Sequence, residues 1–293
     1  MKILLIGKSG QLGADILNSN TNHEIYAPDR TILDIRSRDA VNAALERYCP
    51  EAVINTVDFR DVPLCESDPG TAFAVNCVAV RDLAAACNHV GSLFITFSTD
   101  YVFDGEKKAS YLESDKPAPL QMYGISRLAG EFAALSTAHN SSIIIRTCGL
   151  YGSAGDIGVN RNFVDQRIED AEAGREFEMG GDQVVSPTYT RDLSEAVLRL
   201  LDHPHRTPGI YHLVNEGKCS WYEFTKAIYD IMGMTVKLKA VDRSGKQGDI
   251  HRPLYSALAN TKARALDIVL PSWRNALERY LQEKAKPGGH EKS

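Results

Sequence analysis

Met1-Lys2-Ile3-Leu4-Leu5-Ile6-Gly7-Lys8-Ser9-Gly10-Gln11-Leu12-Gly13 opens the chain, and this stretch decides the fold. A short apolar run, Ile3 to Ile6, stops at a glycine. Two more glycines follow at three-residue spacing. Helical spacing begins near Leu12, with Ile16 and Leu17 on one face. A strand that turns through glycines into a helix is the layout a phosphate loop requires. Glycine permits the tight turn and lets the backbone come close to a pyrophosphate. The helix N-terminus then offers unpaired N–H groups to the anion. A plain glycine-rich turn shares the pattern, so the rest of the chain has to agree with it.

The first half does agree. Residues 24–27, 52–57, 92–98 and 143–147 read as short apolar strands, and residues 38–47, 70–89 and 120–134 as amphipathic helices. Such alternation specifies an α/β protein with a parallel sheet covered on both faces, a Rossmann-type doubly wound core. Past residue 150 the regularity weakens. Helices are expected at 162–172, 192–201, 220–232 and 274–283, a strand at 210–214, and a glycine loop at 152–158. Ser220 should cap the third of these helices, with Glu223 three residues on. The expected organisation is a dinucleotide-binding core over 1–150, rejoined by some later segments. A smaller mixed α/β substrate lobe over 151–283 and a disordered tail over 284–293 complete it.

Composition excludes several classes. The 293 residues carry 33 Lys+Arg against 38 Asp+Glu, a net charge of −5 at pH 7. That balance gives no basic excess for nucleic acid. No apolar run approaches a membrane span, and the N-terminal run is too short for a signal peptide, so a cytoplasmic protein is expected. The six cysteines form no C-x-x-C pair. They read as buried small hydrophobes, with no metal site.

A dinucleotide site also needs an acidic residue about 20 positions past the glycines. Asp29 stands at the end of the second strand and can accept from adenosine ribose hydroxyls. Arg30 follows, and its guanidinium, with Lys8 in the loop, could hold a 2′-phosphate. The pair favours NADP(H) slightly and leaves NAD(H) open. Asp34 and Ile35 are suited to flanking the adenine.

Phe97-Ser98-Thr99-Asp100-Tyr101 ends the fourth strand, where ligands bind in such sheets. Hydroxyls there can reach a substrate carbonyl. Tyr123 and Arg127 follow at i and i+4 on one helix, which brings the cation near the phenol. A phenol with a pKa near 10 is a poor acid–base group at neutrality. A nearby cation should lower it; a shift of about 3 units takes about 4 kcal/mol.

These motifs resemble those of the extended short-chain dehydrogenase/reductases. Within them the chain is most similar to the dTDP-4-dehydrorhamnose reductase family. The likeness spans nearly the whole chain: Gly10-Gln11-Leu12-Gly13, Ser98 to Gly105, Tyr123-Gly124, Asp182-Gln183, Ser186-Pro187-Thr188, Gly209 to Leu213, Trp221-Tyr222-Glu223-Phe224, Arg252-Pro253 and Leu270-Pro271-Ser272-Trp273. The resemblance implies reduction of a 4-keto nucleotide sugar. Tyr123 would protonate the oxygen, and Thr99 would bind and polarise the keto group. Residue 127 would hold the nicotinamide ribose, and Thr56-Val57-Asp58 would line the cofactor together with Gly7, Phe97 and the glycine loop. Asp100 and Tyr101 would join Thr99 and Tyr123 around the substrate.

Three positions depart from the family pattern. Arg127 stands for its lysine, Asp58 brings a carboxylate into a loop that is usually Ala-rich, and Gly149 stands for a tryptophan. A second reading follows from these departures: a non-catalytic nucleotide-binding subunit similar to the regulatory β subunit of methionine adenosyltransferase. A nucleotide-sugar epimerase is a third, and fits the C-terminal motifs less well. The expected partner is a nucleotide sugar, with no nucleic acid and no membrane. A homodimer is left open.

Overall fold

The computed structural model describes residues 1–152, 162–244 and 250–285. Strand β1 (Lys2–Ile6) enters the glycine turn and leaves as helix α1 (Gln11–Leu17). Then come β2 (Glu24–Tyr26), α2 (Arg38–Tyr48), β3 (Ala52–Asn55) and α3 (Val62–Ser67). A long helix, α4 (Pro69–Val90), leads to β4 (Leu93–Thr99), α5 (Met122–Thr137) and β5 (Ser142–Thr147). The second half contributes α6 (Phe163–Glu172), α7 (Thr190–Asp202), β6 (Gly209–His212), α8 (Trp221–Met232) and α9 (Trp273–Ala285). The six strands form one parallel sheet in the order β6-β5-β4-β3-β1-β2. Its two faces are buried in separate cores. Ile3, Leu5, Ile54 and Ile145 face α1 and α7, while Leu4, Val53, Phe94 and Ile144 face α2 and α4. Alternate residues of each strand thus point to opposite helical layers, as a doubly wound sheet requires. Leu17 differs from expectation: Ile16 is fully buried, but Leu17 stands exposed at the end of α1.

The strand order reverses between β1 and β3. The chain winds from β1 outward to β2, then returns through β3 to β4, β5 and β6, so the glycine turn and the end of β4 face one crevice. Helix α5, which carries Tyr123, is tied to the sheet by a buried ion pair. Arg146 on β5 donates to both Glu131 oxygens, at 2.9 and 2.6 Å, and the Ser98 hydroxyl on β4 donates to the same carboxylate. Both charged side chains are almost wholly buried, and the Arg146 guanidinium also covers the Phe103 ring at 5.0 Å.

Helix α4 changes one sequence expectation. It is 22 residues long, and an 18-residue window of it has a mean hydropathy of 1.2, enough by length and composition to cross a membrane. Here it packs Val80, Leu83, Ala84 and Cys87 into the sheet core. Its middle, Ala74–Ala79, winds as a π-helix. The first two residues of the tail expected over 284–293 are helical. Lys284 and Ala285 close α9, and the Lys284 ammonium pairs with Asp165. Residues 286–293, and most of the glycine loop expected at 152–158, lie outside the described residues. All six cysteines are free; Cys49 is exposed and Cys77 half-buried, the other four buried.

Candidate active site

The glycine turn is built so tightly that two of its glycines are obligatory. Gly7 sits at φ +96. A Cβ on Gly13 would stand 2.1 Å from the Gly7 carbonyl oxygen. Thr56, at the end of β3, supports the turn from below: its hydroxyl donates to the carbonyls of Ile6 and Gly7 at 2.9 and 3.1 Å. Val57 packs beside it against the core. Gly10 differs from its neighbours. It has extended backbone, and its Cβ would meet only the Gly7 oxygen, at 3.5 Å. The space above Gly10 is therefore open, and it belongs to a cavity of about 420 Å³ that Gly10, Gln11, Leu12 and Gly13 share with Thr99, Tyr123 and Arg127.

At the β2 end, a half-buried Lys8 reaches back to the exposed Asp29 at 3.0 Å. Arg30 is exposed beside them. Asp34 is held by Arg36 at 2.6 Å, which pulls its carboxyl down to about 2. The Ile35 side chain is spent in the core with Leu4 and Ile6, so only its backbone is left to meet a base.

Thr99 ends β4. Its hydroxyl accepts from the Tyr101 amide at 3.2 Å and donates to Asp100 at 3.1 Å. Asp100 is buried, and its carboxylate also takes the Cys148 thiol at 3.1 Å and the Ser256 hydroxyl. Burial still pushes its carboxyl upward. Of the expected substrate-side residues, Asp100 thus has its oxygens committed to protein groups, and it fixes the threonine. Tyr101 packs edge-on against Tyr123, ring centres 6.1 Å apart. Helix α5 comes close enough for this because residue 124 is glycine; a Cβ there would lie 2.2 Å from the Tyr101 carbonyl oxygen. Gln121 caps the helix one turn earlier, its side-chain oxygen accepting from the Gly124 amide at 2.6 Å.

The Tyr123 hydroxyl points at Asp58, donating to its carboxylate at 3.4 Å. This corrects the expected lowering of the tyrosine. Burial pushes the phenol up from its ordinary value, the Asp58 charge adds to this, and the Arg127 cation and the Thr99 hydroxyl offset only part. Arg127 is buried and reaches the Asn76 side-chain oxygen at 3.5 Å. Asn76 comes from the π-helical part of α4 and was not legible in the sequence. It also bonds the Phe59 backbone at both ends and Ser126, so it joins the Asp58 loop to α5.

Three buried polar atoms that line this cavity have no partner among the described residues: Gln11 Oε1, Arg127 Nε and Thr147 Oγ1. Buried polar groups are nearly always satisfied, so their convergence on one space marks a ligand site. The open space above Gly10, at a helix N-terminus, fits the pyrophosphate of a dinucleotide. Among the described residues no group of acidic, histidine and cysteine side chains could hold a metal ion.

The family described as the RmlD substrate binding domain matches residues 1–286, the core strands included. The chain belongs to this family. It is 35% identical over 286 residues to the spore coat polysaccharide biosynthesis protein SpsK of Bacillus subtilis, covering 97% of this chain and 98% of that protein. It is 33% identical to a dTDP-4-dehydrorhamnose reductase of Sinorhizobium fredii, covering 96% and 97% of the two chains. A crystal structure of the dTDP-4-dehydrorhamnose reductase of Bacillus anthracis in complex with NADP superposes with a TM-score of 0.89 at 32% identity, over 96% of this chain and 99% of that one.

Proposed function

We propose that this chain is an NADPH-dependent oxidoreductase that reduces the 4-keto group of a dTDP-linked deoxysugar, for surface-polysaccharide biosynthesis. The observation that carries the proposal is the convergence of Thr99 and Tyr123 on one cavity with the glycine turn, in a chain aligned end to end with reductases of that class.

Bound NADPH would supply the hydride that reduces the carbonyl carbon. The protein supplies the proton and the positioning. Tyr123, kept protonated by burial and by Asp58, gives its proton to the sugar oxygen. Thr99, anchored by Asp100, polarises that oxygen through its hydroxyl. Arg127 keeps a positive charge near the phenolate left behind, which regains a proton from solvent. Gln11 and the open face of Gly10 receive the cofactor. Lys8 neutralises Asp29, which supports NADPH over NADH, and Arg30 is free to meet a 2′-phosphate; Arg30→Ala should weaken NADPH binding more than NADH binding in a calorimetric titration.

The test is NADPH oxidation by the purified chain against a panel of dTDP-4-keto sugars. Turnover with one or more supports the reductase. Nucleotide binding without turnover across the panel, persisting in Arg127→Lys, would replace it with the regulatory-subunit reading.

A further inference from the structure

The cavity continues past the tyrosine to a wall that the reaction itself does not use. Thr99 pairs with Thr147 at the end of β5, on the side of β4 away from the glycine turn. Two residues beyond Thr147 the chain turns through Gly149, at φ +53. Trp221 comes in over this turn. Its Cη2 lies 3.3 Å from the place a Cβ on residue 149 would take, and Pro187 Cα lies equally close. Any side chain at 149 would be strained by its backbone and would press on the indole.

The indole is firmly held. Trp221 is the first residue of α8, whose start is fixed by a reciprocal cap between Ser220 and Glu223. Its amide donates to the Gln183 carbonyl at 3.1 Å, and its ring leans on Phe163 with centres 4.5 Å apart. Trp221 is half-buried and lines the same cavity as Tyr123.

We propose that Trp221 is the platform for the sugar ring and a determinant of which deoxysugar is accepted. The inference rests on the reductase reading. With the glycine turn on one side of Thr99 and Tyr123 and the indole on the other, a carbonyl placed between them turns its ring toward Trp221. A deoxysugar presents C–H groups and a methyl, the chemistry an aromatic face attracts. Gly149 leaves the indole its place, so the two residues act as a pair.

Fluorescence and kinetics test this together. The chain has two tryptophans, so Trp273→Phe leaves Trp221 as the single reporter. Titration with dTDP-rhamnose should change its emission, and titration with dTDP should not. In the NADPH assay, Trp221→Ala should raise KM for the keto sugar about tenfold, with dTDP affinity unchanged and most of the loss recovered in Trp221→Phe. Wild-type KM in Trp221→Ala, or equal weakening of dTDP and dTDP-rhamnose, would overturn the platform while leaving the reductase intact. A wild-type chain inert toward every keto sugar would overturn the reductase reading and the platform with it. Should Trp221→Ala fail to fold, the single-tryptophan titration decides alone: emission unmoved by dTDP-rhamnose rejects the proposal.

Discussion

At the scale of single residues, the site turns on two opposite charges around one hydroxyl. Tyr123 donates to Asp58, with Arg127 behind it. Tyr123→Phe removes the proposed general acid, commonly worth about 10²–10⁴-fold in rate, and should leave cofactor affinity intact by calorimetry. Asp58 works through electrostatics. Its negative charge disfavours the phenolate and so raises the tyrosine's pKa. Asp58→Asn should therefore move the alkaline limb of the kcat/KM profile to lower pH, because the phenol then loses its proton sooner. An unmoved limb would mean that another group is the acid. Tyr123, Thr99 and Arg127 were legible as residues because motif spacing is local. Their relation to Asp58 and Asn76 was not. It depends on a π-helical turn in α4 and on the loop after β3, which meet α5 only in the folded chain.

At the scale of elements, the glycine turn separates folding from binding. Gly7 is fixed by its positive φ and the Thr56 hydroxyl, and Gly13 by the Gly7 carbonyl, whereas Gly10 faces open space. Gly10→Val should consequently keep a wild-type melting temperature and lose cofactor affinity, since its methyls fill the pyrophosphate space. Gly13→Ala forces the Gly7 carbonyl aside and should lower stability as well, by about 1–3 kcal/mol. Unchanged affinity in a folded Gly10→Val protein would mean the dinucleotide lies elsewhere. The strand–turn–helix reading succeeded here because one short stretch holds both the period change and the glycines. The same approach missed the small parallel ladder of Phe177–Gly180 with Leu238–Val241. Those strands are short, half-exposed and mixed in polarity, and their partners lie far apart in sequence, so no local pattern announces them. Trp221 was visible as part of a motif, but its position over Gly149 comes from the packing of α8 against the turn after β5.

At the scale of the whole molecule, the later half of the chain completes the core. Strand β6 supplies the sixth strand, and α7 packs on α1. Asp192 on α7 receives the Arg279 guanidinium of α9 and the Asn215 amide, at 2.6 and 2.7 Å, which links the end of the chain to the sheet. His212 on β6 is fully buried beside Phe103. Burial and the nearby Arg146 charge lower it from 6.5 to about 3. In the unfolded chain this histidine gains its proton near pH 6.5, while in the fold it stays neutral. Stability should therefore fall as pH drops from 6.5 toward 3, by up to about 1.4 kcal/mol per unit from this group. His212→Asn should flatten that part of a melting-temperature profile between pH 6.5 and 4; an identical slope would assign the loss to other groups.

One cavity joins the glycine turn to Thr99 and Tyr123, and we propose that the chain reduces a sugar ketone there. The most direct test of this incubates the purified chain with NADPH deuterated at the transferable C4 position and a panel of dTDP-4-keto sugars that includes dTDP-4-dehydrorhamnose, and follows the products by mass spectrometry. The expected product carries one deuterium on the sugar C4, forms in step with NADPH loss, and slows by about 10²–10⁴-fold in Tyr123→Phe. A product without deuterium, no product at all, or a Tyr123→Phe variant that keeps wild-type rate would contradict it.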